Sequence, residues 1–106
     1  LLDQSIIDPI HALDLFRIIQ EAIHNAVNRA MCRSLAVYAE LDTIGNKICI
    51  YVVNKGGLSL EPNSLEGNGI RNMRRRAASM GATFCLTTIS GGAELVLSFE
   101  SEETTI

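Results

Sequence analysis

The stretch Leu15–Ala30, LFRIIQEAIHNAVNRA, decides the fold, because its spacing predicts a long helix with two different faces. On one face, apolar side chains recur every three or four residues and predict a stripe that packs on a core: Ala12, Leu15, Phe16, Ile19, Ile23, Ala26, Val27 and Ala30. The other face is polar and carries Arg17, Glu21, Asn25 and Asn28.

Glu21 and Asn25 stand four residues apart on the polar face, so their side chains are neighbours, one turn above the other. This pair has two interpretations. A carboxylate beside an amide is ordinary surface chemistry, and most helices show such a polar face. The same pair would also serve as a base and a metal-binding oxygen at the edge of a cleft. On this stretch alone, the surface interpretation is favoured.

Length and composition predict one domain over residues 1–106, with 1–8 and 101–106 peripheral. No apolar run approaches the roughly 20 residues that cross a bilayer. The net charge of -3 argues against a nucleic-acid partner. The three cysteines are scattered, which is typical of reduced thiols in a cytosolic protein. The chain starts without Met and ends on a polar tail, so we expect a fragment of a longer protein.

The order of the elements predicts the fold class. We expect the long helix to cover 9–31 after an Asp8 cap, and a second helix to cover 68–80 before Gly81. Four strands are expected, the first of them half-buried: Leu35–Leu41, Ile48–Val53, Thr83–Ile89 and Ala93–Phe99. This pattern predicts an α/β two-layer sandwich, with a mixed, mostly antiparallel sheet of four to five strands and helices packed on one face.

A second informative stretch is Glu66–Ala78, EGNGIRNMRRRAA. Gly67 and Gly69 precede a helical pattern. A Gly-x-Gly turn at the start of a helix lets the backbone approach an anion, and the first N–H groups of the helix point at it. Taken alone this signal is weak. The inner face of the helix is predicted to hold Ile70, Met73 and Ala77.

Together, the two stretches resemble the ATP-binding domain of bacterial sensor histidine kinases, in the subgroup that is similar to nitrate sensors. That family is part of the wider group of gyrase, heat-shock chaperone, histidine kinase and MutL ATPases. FRIIQEAIHNAVNRA resembles the N box of the family, and GNGIRNMRRRA resembles its second glycine box. The resemblance covers residues 13–100.

The resemblance implies a role for each matching residue. Asn25 would coordinate Mg²⁺ between the phosphates of ATP, and Glu21 would assist proton transfer from the substrate histidine. Asn28 and Arg29 stand where the family usually carries Lys and His. The implied ATP contacts are Asn25, Asn28, Arg29, Asn54, Gly56, Gly67, Gly69, Ile70 and Ala93.

The sequence departs from the family on the adenine side. Asn54 stands where the first glycine box has Asp, and Leu58 replaces its second glycine. Ala93 replaces a Thr that would share a water with that Asp. A hydrogen bond to a charged acceptor contributes about 1.5–3 kcal/mol, against about 1 for a neutral one. We therefore expect ATP affinity to fall by about one to two orders of magnitude.

The loop Asn54–Glu66 carries glycines and a proline and is predicted to be a lid or binding loop. We expect Glu21 and Asn25 to open onto a cleft whose other wall is this loop and the Gly67 turn. Without nucleotide, 55–65 should be mobile, because few apolar residues anchor it.

Two further groups of residues, arginines and histidines, have side chains that can bind anions or metals. The basic run of Arg71 and 74–76 is interpreted as a solvated helix face near an acidic partner helix, with a contact to phosphate or to the dimerisation domain as the alternative. His11 and His24 lack partners at metal spacing, and neither is expected to be the phosphorylated histidine.

Two functions compete. The first is an ATP-binding catalytic domain that transfers the γ-phosphate to a histidine on a separate dimerisation domain and serves a response regulator indirectly. The second is a degenerate domain of the same fold that acts as an interaction or regulatory module. A serine kinase of the anti-sigma type is disfavoured. We expect the domain to be cytoplasmic, in a full-length protein that is homodimeric and is either free in the cytoplasm or attached to the inner membrane.

Overall fold

A computed structural model describes residues 9–29, 31–42, 44–57 and 68–100. The bounds of the elements differ from the expected ones by one or two residues, and the Asp8 cap lies outside the described ranges. The elements are, in chain order, α1 (Pro9–His24), a π-helical turn (Asn25–Arg29), β1 (Ser34–Asp42), β2 (Lys47–Lys55), α2 (Asn68–Ser79), β3 (Thr83–Ile89) and β4 (Gly92–Glu100).

The four strands form one sheet in the order β1-β2-β4-β3, and each neighbouring pair is antiparallel. Two hairpins, β1–β2 and β3–β4, are joined where β4 pairs with β2. α1 contacts β2, α2 contacts β3, and the helices contact each other, so they lie side by side on one face. This confirms the α/β two-layer sandwich, and within the described ranges the sheet is wholly antiparallel.

The core lies between the two helices and the inner face of the sheet. Alternate residues of β2 and β4 point inward, because successive side chains of a strand face opposite sides. The predicted inner face of α2 is confirmed, since all three of its residues belong to this core. The buried core residues are Ile18, Ala22, Ile50, Val52, Ile70, Met73, Ala77, Met80, Leu95, Leu97 and Phe99.

The buried stripe of α1 differs from the expected one. Ile18 and Ala22, which the expected stripe leaves out, are buried, whereas Phe16 and Val27 are 59% and 51% exposed. The reason is the position of α2, which packs along one flank of α1 and draws the buried face toward itself. The expected stripe is therefore wrong on one side, where it extends too far along the flank that points away from α2.

The half-buried first strand is also a wrong prediction, since every residue of β1 is exposed. The alternation itself is correct. Val37 pairs with Val52, and Ala39 pairs with Ile50, so the apolar residues of β1 face the same side as the core residues of β2. β1 is exposed because it is the edge strand, and no helix in the described ranges lies over it.

The opposite face of the sheet carries a stacked aromatic pair. The rings of Tyr38 and Tyr51 lie 4.8 Å apart, centroid to centroid, at an interplanar angle of 14°. Partial burial raises the pKa of the Tyr51 hydroxyl, and the carboxylate of Glu40 raises it further. This face is polar and aromatic rather than a second core.

Gly81 ends α2 as expected, with a φ of 71°. The N–H of Ala82 donates to the carbonyl of Ala77 at 2.8 Å, and that of Gly81 donates to Ala78 at 3.1 Å. These two bonds form a Schellman motif, which favours glycine because its central residue is left-handed.

Replacing Leu97 tests this description of the core. Its side chain is 0% exposed, so Leu97→Ala should lower the free energy of unfolding by about 2–5 kcal/mol. Ile44, which is 99% exposed, provides the control, because Ile44→Ala should change it by no more than about 0.5 kcal/mol. Urea denaturation measures both, and similar losses in the two variants would contradict the assigned core.

Candidate functional site

The two helices meet where Glu21 lies against Gly69. A Cβ atom added to Gly69 would overlap the Oε1 atom of Glu21 and lie 3.3 Å from its Cδ atom. The missing side chain therefore lets a carboxylate of α1 reach the first turn of α2. This brings together the catalytic candidate and one glycine of the expected second glycine box.

A cavity of about 310 Å³ opens beside this contact. Met73 forms its apolar floor, since that side chain is 1% exposed and belongs to the core. The other lining groups are charged or polar, so the cavity can hold a polar group of a ligand or of another chain. Its lining residues are Arg17, Gln20, Glu21, Gly69, Asn72, Met73 and Arg76.

One ion pair ties the helices together at this cavity. The Nη1 atom of Arg76 lies 3.4 Å from Oδ1 of Asp14. The solvated-face interpretation of the basic run therefore describes Arg76 well, because it pairs with an acidic residue on the neighbouring helix. Arg74 lies 5.1 Å from the centroid of the Phe84 ring and covers the end of β3.

Asn25 begins the π-helical turn that follows α1. Such turns widen a helix by one residue and occur often at functional sites. The N–H of Cys32 donates to the carbonyl of Ala26 at 3.0 Å, and Met31 between them is left-handed with a φ of 52°. Asn25 is half-buried, and no hydrogen bond joins its amide to another residue in the described ranges.

Asn28 has a different environment from Asn25. Its amide nitrogen donates to the backbone carbonyl of His24 and lies 3.1 Å from the Nδ1 atom of the same residue. This amide is therefore bound to its own helix. The Arg29 side chain, Gly67 and the segment 58–66 lie outside the described ranges, as does most of the expected lid.

Asn54 and Ala93, the two adenine-side candidates, are directly paired across β2 and β4. A Cβ atom added to the next residue, Gly92, would overlap the backbone oxygen of Asn54. Gly56 has a φ of 76°, and its N–H donates to the carbonyl of Gly91 at 2.9 Å. Two separated parts of the sequence, 54–56 and 91–93, therefore meet at this end of the sheet.

Ile70 is placed differently from the other candidates. Its side chain is 4% exposed and packs in the core. It supports the first turn of α2 from below, and only its backbone is available near the Gly69 contact.

Sequence reasoning gave no role to Gln20 or Asn72, which the structure places in the cavity. A signal for them exists in the spacing. Gly69, Asn72, Met73 and Arg76 follow the i, i+3, i+4, i+7 pattern of a single helix face. Gln20 occupies the position before Glu21 on the neighbouring helix.

Within the described ranges, no group of three or more His, Cys, Asp or Glu side chains is placed to hold a metal ion. No helix in these ranges is long and apolar enough to cross a membrane.

Comparisons with known proteins give a consistent picture. The chain is 37% identical over 91 residues to the nitrate/nitrite sensor protein NarQ of Escherichia coli (strain K12), across 84% of this chain and 16% of that protein. The blue-light activated histidine kinase of Erythrobacter litoralis EL346 matches with a TM-score of 0.76 at 18% identity, over 91% of this chain and 32% of that one. The histidine kinase domain of the same protein gives a TM-score of 0.69 at 16% identity, over 83% and 43% of the two chains. No protein-family model matches the chain.

Substitution of two glycines by alanine should change the free energy of unfolding by different amounts. Gly69→Ala should leave the free energy of unfolding within about 1 kcal/mol of wild type, because the Glu21 carboxylate that it meets is the end of a flexible side chain. Gly92→Ala should lower it by about 1–3 kcal/mol, because the methyl group meets the backbone of Asn54. Urea denaturation measures both, and the reverse order would contradict the two close approaches.

Proposed function

Because the chain is a domain of the sensor histidine kinase type, we propose that it is the catalytic domain that binds Mg-ATP and transfers the γ-phosphate to a histidine on a separate dimerisation domain. The chain spans 16% of the sensor protein that it matches in sequence. The remaining parts of such a protein would supply the phosphorylated histidine and the sensor.

The observation that carries this proposal is the contact of Glu21 with Gly69. A candidate proton acceptor on α1 lies at the first turn of α2, and the backbone N–H groups of a first helical turn point toward an anion placed there. Phosphoryl transfer depends mainly on positioning and on neutralising charge. The contact fixes both candidate parts relative to each other.

The described residues fit a nucleotide on its phosphate side. Asn25 is half-buried, and its amide forms no hydrogen bond with the rest of the described chain, so its oxygen can bind a cation. An amide oxygen suits Mg²⁺, which takes its other ligands from phosphate and water. When bound, Mg²⁺ would neutralise charge on the phosphates. Asn28 would have to leave His24 to contact them, and Arg29 would provide the positive charge nearby.

On the adenine side, the pairing of Asn54 with Ala93 supports their proposed common role. Asn54 would accept a hydrogen bond from the adenine amine through its amide oxygen. Ala93 has no hydroxyl to hold the water that a Thr would share. We therefore propose weak adenine binding on a structurally intact frame. The comparisons do not favour the degenerate module, which becomes an outcome of the test.

The kinship with sensor histidine kinases also suggests a location and an assembly for the longer protein. We propose that the domain is cytoplasmic and that the longer protein is a homodimer, either free in the cytoplasm or attached to the inner membrane. Its phosphorylated histidine would then pass the phosphate to a response regulator.

Mg-ATP titration tests the nucleotide site. Wild-type affinity should be low, and Asn54→Asp with Ala93→Thr should raise it by more than the sum of the single changes, because the two groups share one water. Isothermal titration calorimetry of the four proteins measures this coupling.

Ala36→Thr is the control for this titration, since Ala36 is exposed on the edge strand. Its affinity should match that of wild type. No binding by any of the variants would favour the degenerate module, and a double variant no better than wild type would disprove the assigned adenine pair.

A second substitution separates binding from chemistry. In a longer protein that includes the dimerisation domain, Glu21→Gln should keep Mg-ATP binding but lower the rate of histidine phosphorylation by about 10²–10⁴-fold, the contribution of a general base. Glu40→Gln, at an exposed position on β1, is the control. Transfer of labelled phosphate from ATP measures the rate, and an unchanged rate in Glu21→Gln would exclude Glu21 as the base.

A further inference from the structure

The face of the sheet that points away from the helices has an aromatic centre between two carboxylates. The stacked rings of Tyr38 and Tyr51 form this centre, and Tyr51 pairs with Tyr38 on one side and with Val96 on the other. Glu40 and Glu94 point to the same face, because each lies two residues along its strand from a partner of Tyr51. We use the name tyrosine face for these five residues.

The two carboxylates of the tyrosine face have no cation beside them. Glu40 is exposed and Glu94 is half-buried, and neither forms an ion pair within the described ranges. The lysines of β2, Lys47 and Lys55, each lie four residues from Tyr51, about 13 Å along the strand. Partial burial raises the pKa of the Tyr51 hydroxyl, and Glu40 and Glu94 raise it further. The negative field of both carboxylates therefore reaches the rings.

The chain itself has no cation to offer to the tyrosine face. All nine of its lysines and arginines belong to the described ranges, so the segments 1–8, 58–67 and 101–106 contain none. The arginines of the helical elements lie on the other side of the sheet, and Arg33 packs against Gly56. A cation for these carboxylates therefore has to come from another molecule.

We propose that the tyrosine face is a docking surface for an arginine-bearing segment of another protein. A guanidinium group would lie flat on the Tyr38 ring, which is 43% exposed, and donate to the carboxylate of Glu40. A second positive charge would be attracted to Glu94. Arginine suits the face better than lysine, because its planar group stacks on a ring and pairs with a carboxylate at the same time. The proposal does not depend on nucleotide binding.

The spacing of the carboxylates indicates that the segment carries at least two arginines. Glu40 pairs with Cys49, and Glu94 pairs with Val53, so the two carboxylates lie on opposite sides of Tyr51. Four residues along the strands and two strands across separate their Cα atoms by roughly 16–17 Å. One guanidinium group cannot reach both carboxylates. An extended tripeptide is about 10 Å long, and arginine side chains at its two ends extend its reach to both.

Other occupants fit the tyrosine face less well. A second copy of the chain would present the arginines of α2, but α2 and the tyrosine face lie on opposite sides of the domain. Such a contact runs head to tail and gives rings or open chains rather than a dimer. Nucleic acids and anionic membranes would be repelled by the carboxylates. The charge of the face thus favours a basic segment of a different protein.

Tyrosine fluorescence gives a direct readout of this face, because the chain has two tyrosines, both of them here, and no tryptophan. The probe is a tri-arginine peptide with blocked ends, titrated into the 106-residue chain at an ionic strength of about 0.1 M. It should change the fluorescence in a saturable way and bind more tightly than the matching tri-lysine peptide. An absence of any change in fluorescence would overturn the proposal.

Charge variants separate the tyrosine face from a general attraction to an acidic chain. Glu40→Gln and Glu94→Gln should each weaken the binding of tri-arginine by about two- to fivefold. Glu100→Gln is the matched control, because it removes the same charge four residues along β4 from Val96. That position is about 14 Å from Tyr51, farther than the Debye length of about 10 Å, so the affinity should not change. Equal losses in all three variants would overturn the proposal.

Two further results test the stacking and the identity of the occupant. Tyr38→Leu keeps Tyr51 as the reporter and should weaken the binding of tri-arginine by about two- to fivefold, and an unchanged affinity would overturn the proposal. The fluorescence without peptide should not depend on protein concentration. A change on dilution would show that a second copy of the chain occupies the face, and this would also overturn the proposal.

Discussion

Gly69 has no side chain, and this allows the Glu21 carboxylate to lie directly on the first turn of α2. The contact lies at the end of the helix layer that carries the candidate site. Met73, one turn further along α2, belongs to the core, and Arg76 meets Asp14. The site and the packing of the helix layer thus lie along one continuous helix–helix contact. A larger residue at position 69 would require the carboxylate to move before the helices could move.

The two ends of the candidate site have different rigidity. On the proposed adenine side, Gly92 lies against the backbone of Asn54 within a paired sheet, so a side chain at position 92 would have to displace backbone atoms. On the phosphate side, the contact is made by the tip of a flexible Glu side chain, and Asn25 belongs to a π-helical turn rather than to a regular helix. In the proposed complex, the base of the nucleotide would lie against fixed backbone, and the phosphate end would lie against side chains that can move.

Most of the fold could be predicted from the sequence, because the periods of α2, β2 and β4 match their buried faces. Local periodicity could not place β1, since its alternation is correct while its exposure depends on what lies above it. It also could not predict the π-helical turn that begins at Asn25. For the site, the family resemblance led us to expect Glu21 near the glycine turn before α2 and a link between Asn54 and Ala93, and the structure places Glu21 against Gly69 and pairs Asn54 with Ala93. The hydrogen bond of Asn28 to His24 does not, because it depends on a local backbone choice.

The apolar stripe predicted for α1 is wider than the face that is buried, because Phe16 and Val27 are exposed. Phe16 and Val27 extend the stripe on the side of β1, and the apolar residues of β1 are exposed on the same side. Two independent patterns, one with a helical period and one with a strand period, thus leave unburied surface at the same place. Both deviations therefore concern what lies above an edge strand, which neither local period encodes, and not the periods themselves.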